Sequence, residues 1–461
     1  GSMLSADWEV AFGMSTNDGA FTENTSYDNM EVVLAGKFEE ADDFEKFIGR
    51  AVANDMNYST ICRYKDGVTY WTSEDNDFYY ARYKNIFILT NTDTNRENAI
   101  NRLINGNGFS FENNYDNDKL AYAYVNGSVT SLMANSLAEN AGQGPFSEYL
   151  GSLGEVYASI ESDSEGFITS SIVKITDSNN RFLQKYIDAV PVFVNKVPAK
   201  GIIAYMEDPD LSLILETFAE MAGESYENLL TEIGSSLGVT VDDVGNFLSS
   251  PFAFSLSETG SFMPSIALYL ELGSGEDSTA EILLNLLDQG VDQLVESTGG
   301  ELRVVKSQTT SGLTKIAVDI DALPTTNKSD EKLKALLKES GVEFYYGILD
   351  DTMIIAFYPN FEEYYEINPL SKDTTYKTAV EKLNGVYGGK LSYVNITNTV
   401  KLIKYFIDLS ADESGNSLLG EIPEDALSTI EDVAGMFKYV IGSTEVTSTK
   451  SSSRSYLRMG K

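Results

Sequence analysis

The chain has no histidine. That absence removes the commonest general base near neutral pH, the commonest metal ligand, and every Ser-His or Cys-His nucleophile pair. Cysteine is almost missing too. Cys62 stands alone, so no intrachain disulfide and no zinc site of the Cys/His type can form. It sits in S-T-I-C-R-Y-K, where a buried structural thiol is expected. Positive charge is scarce: 33 Lys and Arg face 70 Asp and Glu, a net charge of −37. The densest basic stretch, Lys450-Ser-Ser-Ser-Arg454, carries only two charges. Such a chain has little with which to neutralise nucleic-acid phosphates, and direct docking onto an anionic bilayer is disfavoured for the same reason. Long apolar runs are absent as well; none approaches the ~18 residues that a membrane-spanning helix needs. Trp8 and Trp71 are the only tryptophans, a thin supply for a sugar-stacking groove.

What is present is enough for a core. Hydrophobic residues make up 42% of 461 residues, a globular rather than a disordered composition, with length for two to four domains. Gly1-Ser2-Met3 reads as a cleavage remnant followed by a start residue, so a trimmed signal sequence, lipoprotein tail or membrane anchor is expected ahead of Leu4.

The chain repeats itself. F-Y-Y-A-R-Y-K-N-I-F-I-L-T begins at Phe78 and F-Y-Y-G-I-L-D-D-T-M-I-I-A-F at Phe344. V-A-F-G-M-S at Val10 aligns with F-A-F-S-L-S at Phe252, and K-L-A-Y-A-Y-V at Lys119 with K-L-S-Y-V at Lys390. The segment from Glu155 matches the one from Phe437 in pattern. The offsets are 242, 266, 271 and 282 in chain order, a slow drift that fits a duplicated unit with loop insertions. The reading is three segments: 1–180 as the first copy, 181–251 as a strand–helix–helix segment leading into the second copy, and 252–461 as the second copy. The middle segment has no partner here; its counterpart would precede residue 1.

Each F-Y-Y stretch reads as a β-hairpin, aromatic and β-branched runs flanking a polar break. A helix should follow each. The first lies in T-N-R-E-N-A-I-N-R-L-I-N-G, with Thr94 as N-cap and Gly106 as stop, and the second in Y-K-T-A-V-E-K-L-N-G. Longer helices are expected over E-A-D-D-F-E-K-F-I-G-R-A-V-A-N-D and S-T-A-E-I-L-L-N-L-L-D-Q-G-V-D-Q-L-V-E-S-T, the latter with Ile282, Leu286, Val291 and Leu294 on or near one helical face. T-V-D-D-V-G-N-F-L-S-S-P predicts a short helix capped by Thr240 and Asp243. The pattern predicts an α+β fold, two tandem copies of a mixed unit, with largely antiparallel sheets and helices packed on one face.

The run L-G-V-T-V-D-D-V-G-N-F-L-S-S-P-F-A-F-S-L-S-E-T-G-S-F-M-P-S-I-A-L-Y-L-E-L, followed by a helix and then F-Y-Y-G-I-L-D-D-T-M-I-I-A-F-Y-P-N-F-E-E-Y-Y-E-I, resembles an uncharacterised class of exported bacterial proteins of the domain-of-unknown-function type. These are similar to membrane-anchored ectodomains or lipoproteins. The resemblance covers the whole chain in pattern and short stretches in identity. It implies a place outside the cytoplasm and a non-enzymatic default, and it carries over no site residues.

The chemical signals favour ordinary explanations. Asp42, Asp43 and Glu45 start a predicted helix, where acids offset the helix dipole. Asn91, Asp93, Asn95 and Glu97 have the spacing that opens a calcium loop, but Arg96 and Arg102 stand where an EF-hand needs Gly and Glu. Asp116 and Asp118 lie in a turn-rich loop; an irregular calcium site in so acidic a chain stays open. Ser171 and Lys174 spell S-x-x-K within an alternating strand pattern, whereas an acyl-enzyme serine opens a helix. Tyr27, Tyr64, Tyr70, Tyr79, Tyr80 and Tyr83 crowd one region; strand composition explains them, and an exposed sheet face for a partner is the functional alternative. There is no P-loop, G-x-G-x-x-G or G-x-S-x-G. No residue is assigned a catalytic, cofactor-binding or metal-binding role, and no cofactor is expected. The expected function is a non-catalytic binding or structural module of the envelope or cell surface, in the periplasm or outside the cell, whose partner is an envelope protein or polymer. The alternatives are a carrier of an apolar ligand such as a lipid, or a carboxylate- or metal-dependent hydrolase of envelope polymers.

Overall fold

The computed structural model describes residues 9–16, 30–37, 60–65, 67–73, 79–84, 86–90, 92–105, 119–125, 145–222, 224–260, 263–273, 276–299, 301–325, 328–357, 359, 361, 368–410, 432 and 435–460. The fold is α+β with mostly antiparallel strands, in two compact units: residues 1–180 with 448–452, and residues 181–447 with 453–461.

In the first unit the strands are β1 (Glu9–Thr16), β2 (Met30–Lys37), β3 (Thr60–Lys65), β4 (Val68–Ser73), β5 (Tyr79–Tyr83), β6 (Ile86–Thr90), β7 (Lys119–Val125), β8 (Leu153–Asp163) and β9 (Gly166–Ile175), with helices α1 (Asp93–Ile104) and α2 (Pro145–Gly151). They pair in the order β3–β4–β5–β6–β2–β1–β7–β8–β9. Every pairing is antiparallel except β1–β7, a parallel contact of two register positions, Ala11 with Tyr122 and Phe12 with Ala123. Val68, Tyr70, Ala81, Ile88, Ala99 and Ile100 form the core beneath α1. The helix is capped by Thr92 rather than Thr94: the extended Thr92 takes the Asn95 N–H at 3.1 Å, which places Thr94 inside the first turn. Gly106, the expected stop, lies outside the described residues, as does the helix expected from Glu39.

The second unit holds α3 (Arg181–Gln184), β10 (Ile202–Asp208), α4 (Leu211–Ala222), α5 (Tyr226–Leu237), α6 (Val241–Leu248), β11 (Phe252–Ser257), β12 (Ser265–Glu271) and α7 (Asp277–Ser297). Then come β13 (Val304–Gln308), β14 (Thr314–Val318), α8 (Lys328–Ser340), β15 (Glu343–Leu349), β16 (Thr352–Phe357), α9 (Thr374–Glu381), β17 (Lys390–Asn395), α10 (Ile396–Ser410), β18 (Phe437–Val446) and β19 (Lys450–Met459), the last belonging here from Ser453 onward. The sheet order is β13–β14–β15–β16–β12–β11–β10–β17–β18, antiparallel throughout. This is the order of β3 to β8 in the first unit with one strand, β10, added between β11 and β17. Of segment 181–251, strand β10 thus lies within the second unit's sheet.

Register aligns Tyr393, Tyr205, Ser255, Ala267, Ala356 and Tyr345 across six strands, so these residues share a face. Phe193, Phe361 and Tyr376 cover that face. Ring centroids lie 5.7 Å apart for Tyr345–Phe361 and 5.5 Å for Tyr376–Tyr393. On the opposite face Phe252, Leu270 and Met353 pack under Phe247 of α6 and Ala280, Leu283 and Leu284 of α7. Each fully buried large side chain contributes roughly 2 kcal/mol.

Two local expectations change in the structure. Leu286 and Leu294 of α7 are 38% and 56% exposed, so the buried stripe runs through Ala280, Leu283 and Leu284 instead. That helix has more leucines than one stripe needs, and periodicity alone misplaces Leu286 and Leu294. Each F-Y-Y hairpin is half of a four-stranded meander, because β3–β4 and β13–β14 precede it. By contrast α6 has the expected reciprocal cap, Thr240 with Asp243. The β15–β16 turn puts Asp350 and Asp351 at φ 46° and 57°, the left-handed pair that a tight type I′ hairpin turn requires.

Candidate functional site

A groove of about 590 Å³ lies between α7 and the meander edge. Asn285 and Asp288 face it from the helix, Lys306 and Gln308 from β13, Thr314 from β14 and Tyr346 from β15. The α7 residues come from one helical stripe (Glu281, Leu284, Asn285, Asp288), which is why a single helix can supply a whole wall. Asp288 accepts from Lys306 Nζ at 2.8 Å and from the Tyr346 hydroxyl, and Lys306 also reaches Asp292 at 2.7 Å. The bonds from Lys306 and Tyr346 hold the Asp288 carboxyl below its usual range. Burial, followed by the bond to Asp288, pushes the Tyr346 phenol up. Gln308 and Thr314 meet at 3.0 Å. Asp288 and Lys306 thus engage one another, while Glu281 adds a further carboxylate to the wall. Asn285, Gln308 and Thr314 add amides and a hydroxyl to the wall, groups suited to hydrogen bonding.

A second constellation is buried. Tyr205 and Glu207 share one face of β10, and Glu207 is only 2% exposed. The loop Val192–Phe193 folds over it. Both backbone N–H groups donate to Oε1, Phe193 at 3.3 Å, and the Tyr205 hydroxyl donates to Oε2. Burial pushes the Glu207 carboxyl up from 4.5 to about 7, against the lowering effect of these three donors. The next residue, Asp208, is equally buried; it accepts from the Tyr186 hydroxyl at 2.7 Å and from Asp210 N–H at 3.2 Å, with Lys390 Nζ at 3.4 Å. Both acids border a cavity of about 340 Å³ beside Lys185, Val190 and Gly389. A raised carboxyl in a cavity has the look of a general acid. Yet both carboxylates are taken up by the protein's own donors, Glu207 by Val192, Phe193 and Tyr205 and Asp208 by Tyr186, Asp210 and Lys390. Their oxygens tie the 186–193 segment to the sheet.

The residues weighed from the sequence are scattered. Asp93 and Asn95 lie in the first turn of α1, not in a loop; Asp93 pairs with Arg96 and Asn95 is fully buried. Tyr70 is buried and, with the half-buried Tyr79, brackets the Arg96 guanidinium at 5.0 and 5.4 Å. Ser171 and Lys174 lie on β9, where Lys174 pairs with Glu155. Asp42, Asp43, Glu45, Asn91, Asp116, Asp118 and Tyr27 fall outside the described residues, as does the Cys62 side chain. Among the described residues no helix is long and apolar enough to cross a membrane, and no group of three His, Cys, Asp or Glu could hold a metal ion. The acid of β10 and the groove on α7 went unnoticed in the sequence. Comparison with protein-family models, with curated proteins and with solved structures finds no match to this chain.

Proposed function

We propose that the chain is a non-catalytic binding module of the cell envelope or cell surface, built by duplication of one α+β unit, which takes a hydrogen-bonding ligand in the groove between α7 and β13–β15. The groove carries this reading: Lys306 engages Asp288 and Asp292, and Asn285, Gln308 and Thr314 line about 590 Å³ with neutral amide and hydroxyl groups. The lack of histidine and the charge of −37 support a passive, soluble surface outside the cytoplasm. The duplication is supported by the shared strand order and by four pairs of similar stretches that occupy corresponding strands. The test is a binding screen of the full chain against soluble envelope oligosaccharides and peptides, followed by titration of an N285A/Q308A variant. Loss of two ligand hydrogen bonds should weaken the best binder about tenfold or more with little change in melting temperature. Undiminished binding by the variant, or turnover of the ligand, would overturn the proposal.

One observation favours the apolar-ligand alternative. Met206, Ile266 and Val394 are 39%, 43% and 38% exposed, and the register of β17, β10, β11 and β12 sets them on the same face. Saturable uptake of a fluorescent fatty acid, abolished by I266E, would move the ligand site to that face.

A further inference from the structure

The two sheets differ at one seam. In the second unit β10 lies between β11 and β17 and is antiparallel to both, matched at six register positions with β11 and at four with β17. In the first unit the corresponding strands, β1 and β7, meet each other directly. They run parallel, as β11 and β17 do, and are matched at only two positions. On its other side β1 is matched to β2 at all eight of its residues. Backbone N–H and C=O groups are obligatory bonding groups, and beyond those two positions no strand among the described residues is matched to the side of β1 that faces β7, so that side can take a new partner.

We infer that the β1–β7 seam is a strand-acceptor site, which opens to take an extended, largely apolar peptide antiparallel to both strands, in the place that β10 holds in the second unit. Insertion needs one lateral movement, from one strand spacing of about 4.8 Å to two, about 9.6 Å. Direction already fits: two parallel strands separated by one antiparallel strand give the commonest local sheet pattern. The occupant is defined by β10 itself, Ile-Ile-Ala-Tyr-Met-Glu-Asp, a run without proline that can bond along both edges. The inference uses the observed pairings alone, so failure of groove binding would leave it standing.

The experiment titrates the full chain with a synthetic peptide of residues 200–210 and follows backbone amide exchange. The expected result is saturable binding with at least tenfold slower exchange in β1 and β7 and no change in β11 or β17. The same peptide with proline at the Tyr205 position should not bind. Protection at another edge, or no binding, would overturn the inference. A second variant, F12C/A123C, closes the seam covalently, since directly matched residues lie within the ~4.4–6.8 Å Cα separation that a disulfide accepts, whereas an opened seam does not. Oxidised protein should lose peptide binding and recover it on reduction; equal binding in both states would contradict the site.

Discussion

The first unit buries a cation and the second buries anions. Arg96 is 2% exposed, held between Tyr70 and Tyr79 and by the Tyr80 carbonyl at 3.3 Å. Glu207 is also 2% exposed, held by two backbone N–H groups and the Tyr205 hydroxyl. A guanidinium keeps its charge at any working pH and is weakly hydrated, and here aromatic faces, a carbonyl and the Asp93 carboxylate hold it. A carboxylic acid can instead give up its charge, and burial pushes it that way. The two units therefore share a strand order while fastening their interiors with chemistry that responds differently to pH.

Substitutions at Arg96 and Glu207 probe that difference, and a third pair at the hairpin tips compares the two meanders. The largest effect is expected at Arg96. Arg96→Ala removes the cation from between two rings and leaves a cavity, a cost of about 4 kcal/mol. Amide exchange in β4, β5 and α1 should accelerate in step, while β10, β11 and β17 keep their protection. Uniform acceleration in both units would break the comparison.

Next is Glu207. Its folded-state pKa, about 7, lies above the unfolded 4.5. Between these values the folded state binds more protons than the unfolded, so stability falls as pH rises from 4.5 to 7 and levels off above. The full shift corresponds to roughly 3 kcal/mol. Glu207→Gln keeps an acceptor for the Val192 and Phe193 N–H groups and cannot ionise. It should flatten this slope and leave the protein more stable than the parent at pH 8, with little difference at pH 4. Urea denaturation across that range measures it; an unchanged slope would remove Glu207 as its source.

The smallest effect lies at the hairpin tips. Lys84 at φ 55° and Asp351 at φ 57° both hold left-handed backbone. Replacing either with glycine relieves a cost of about 1 kcal/mol. Melting temperature should rise with each, and a fall at one tip would show that its side chain makes a contact worth more than the strain.

Much of this fold was legible because its signals are local. The F-Y-Y hairpins, the Thr240–Asp243 cap and β10 all announce themselves within a dozen residues. The strand β13, Val-Val-Lys-Ser-Gln, did not, since four of its five residues are exposed and little alternation survives. Thr92 and Thr94 both fit a cap by type, and only backbone geometry chooses between them. The Arg96 site needs two strands and a helix to meet, and the groove draws on α7, β13, β14 and β15, so neither exists in any one window of sequence. Glu207 could have been noticed: in Ile-Ile-Ala-Tyr-Met-Glu-Asp it shares the Ile203 and Tyr205 face, and an acid on an otherwise apolar face asks for a partner.

The shared order with one strand missing is the central claim, and amide exchange on the unliganded full chain tests it most directly. The β1 amides that do not bond β2 should exchange at least tenfold faster than the β11 amides that bond β10. Equal protection of the two sets would mean that β1 is already sealed along its length, and the account of a seam one strand short would fail.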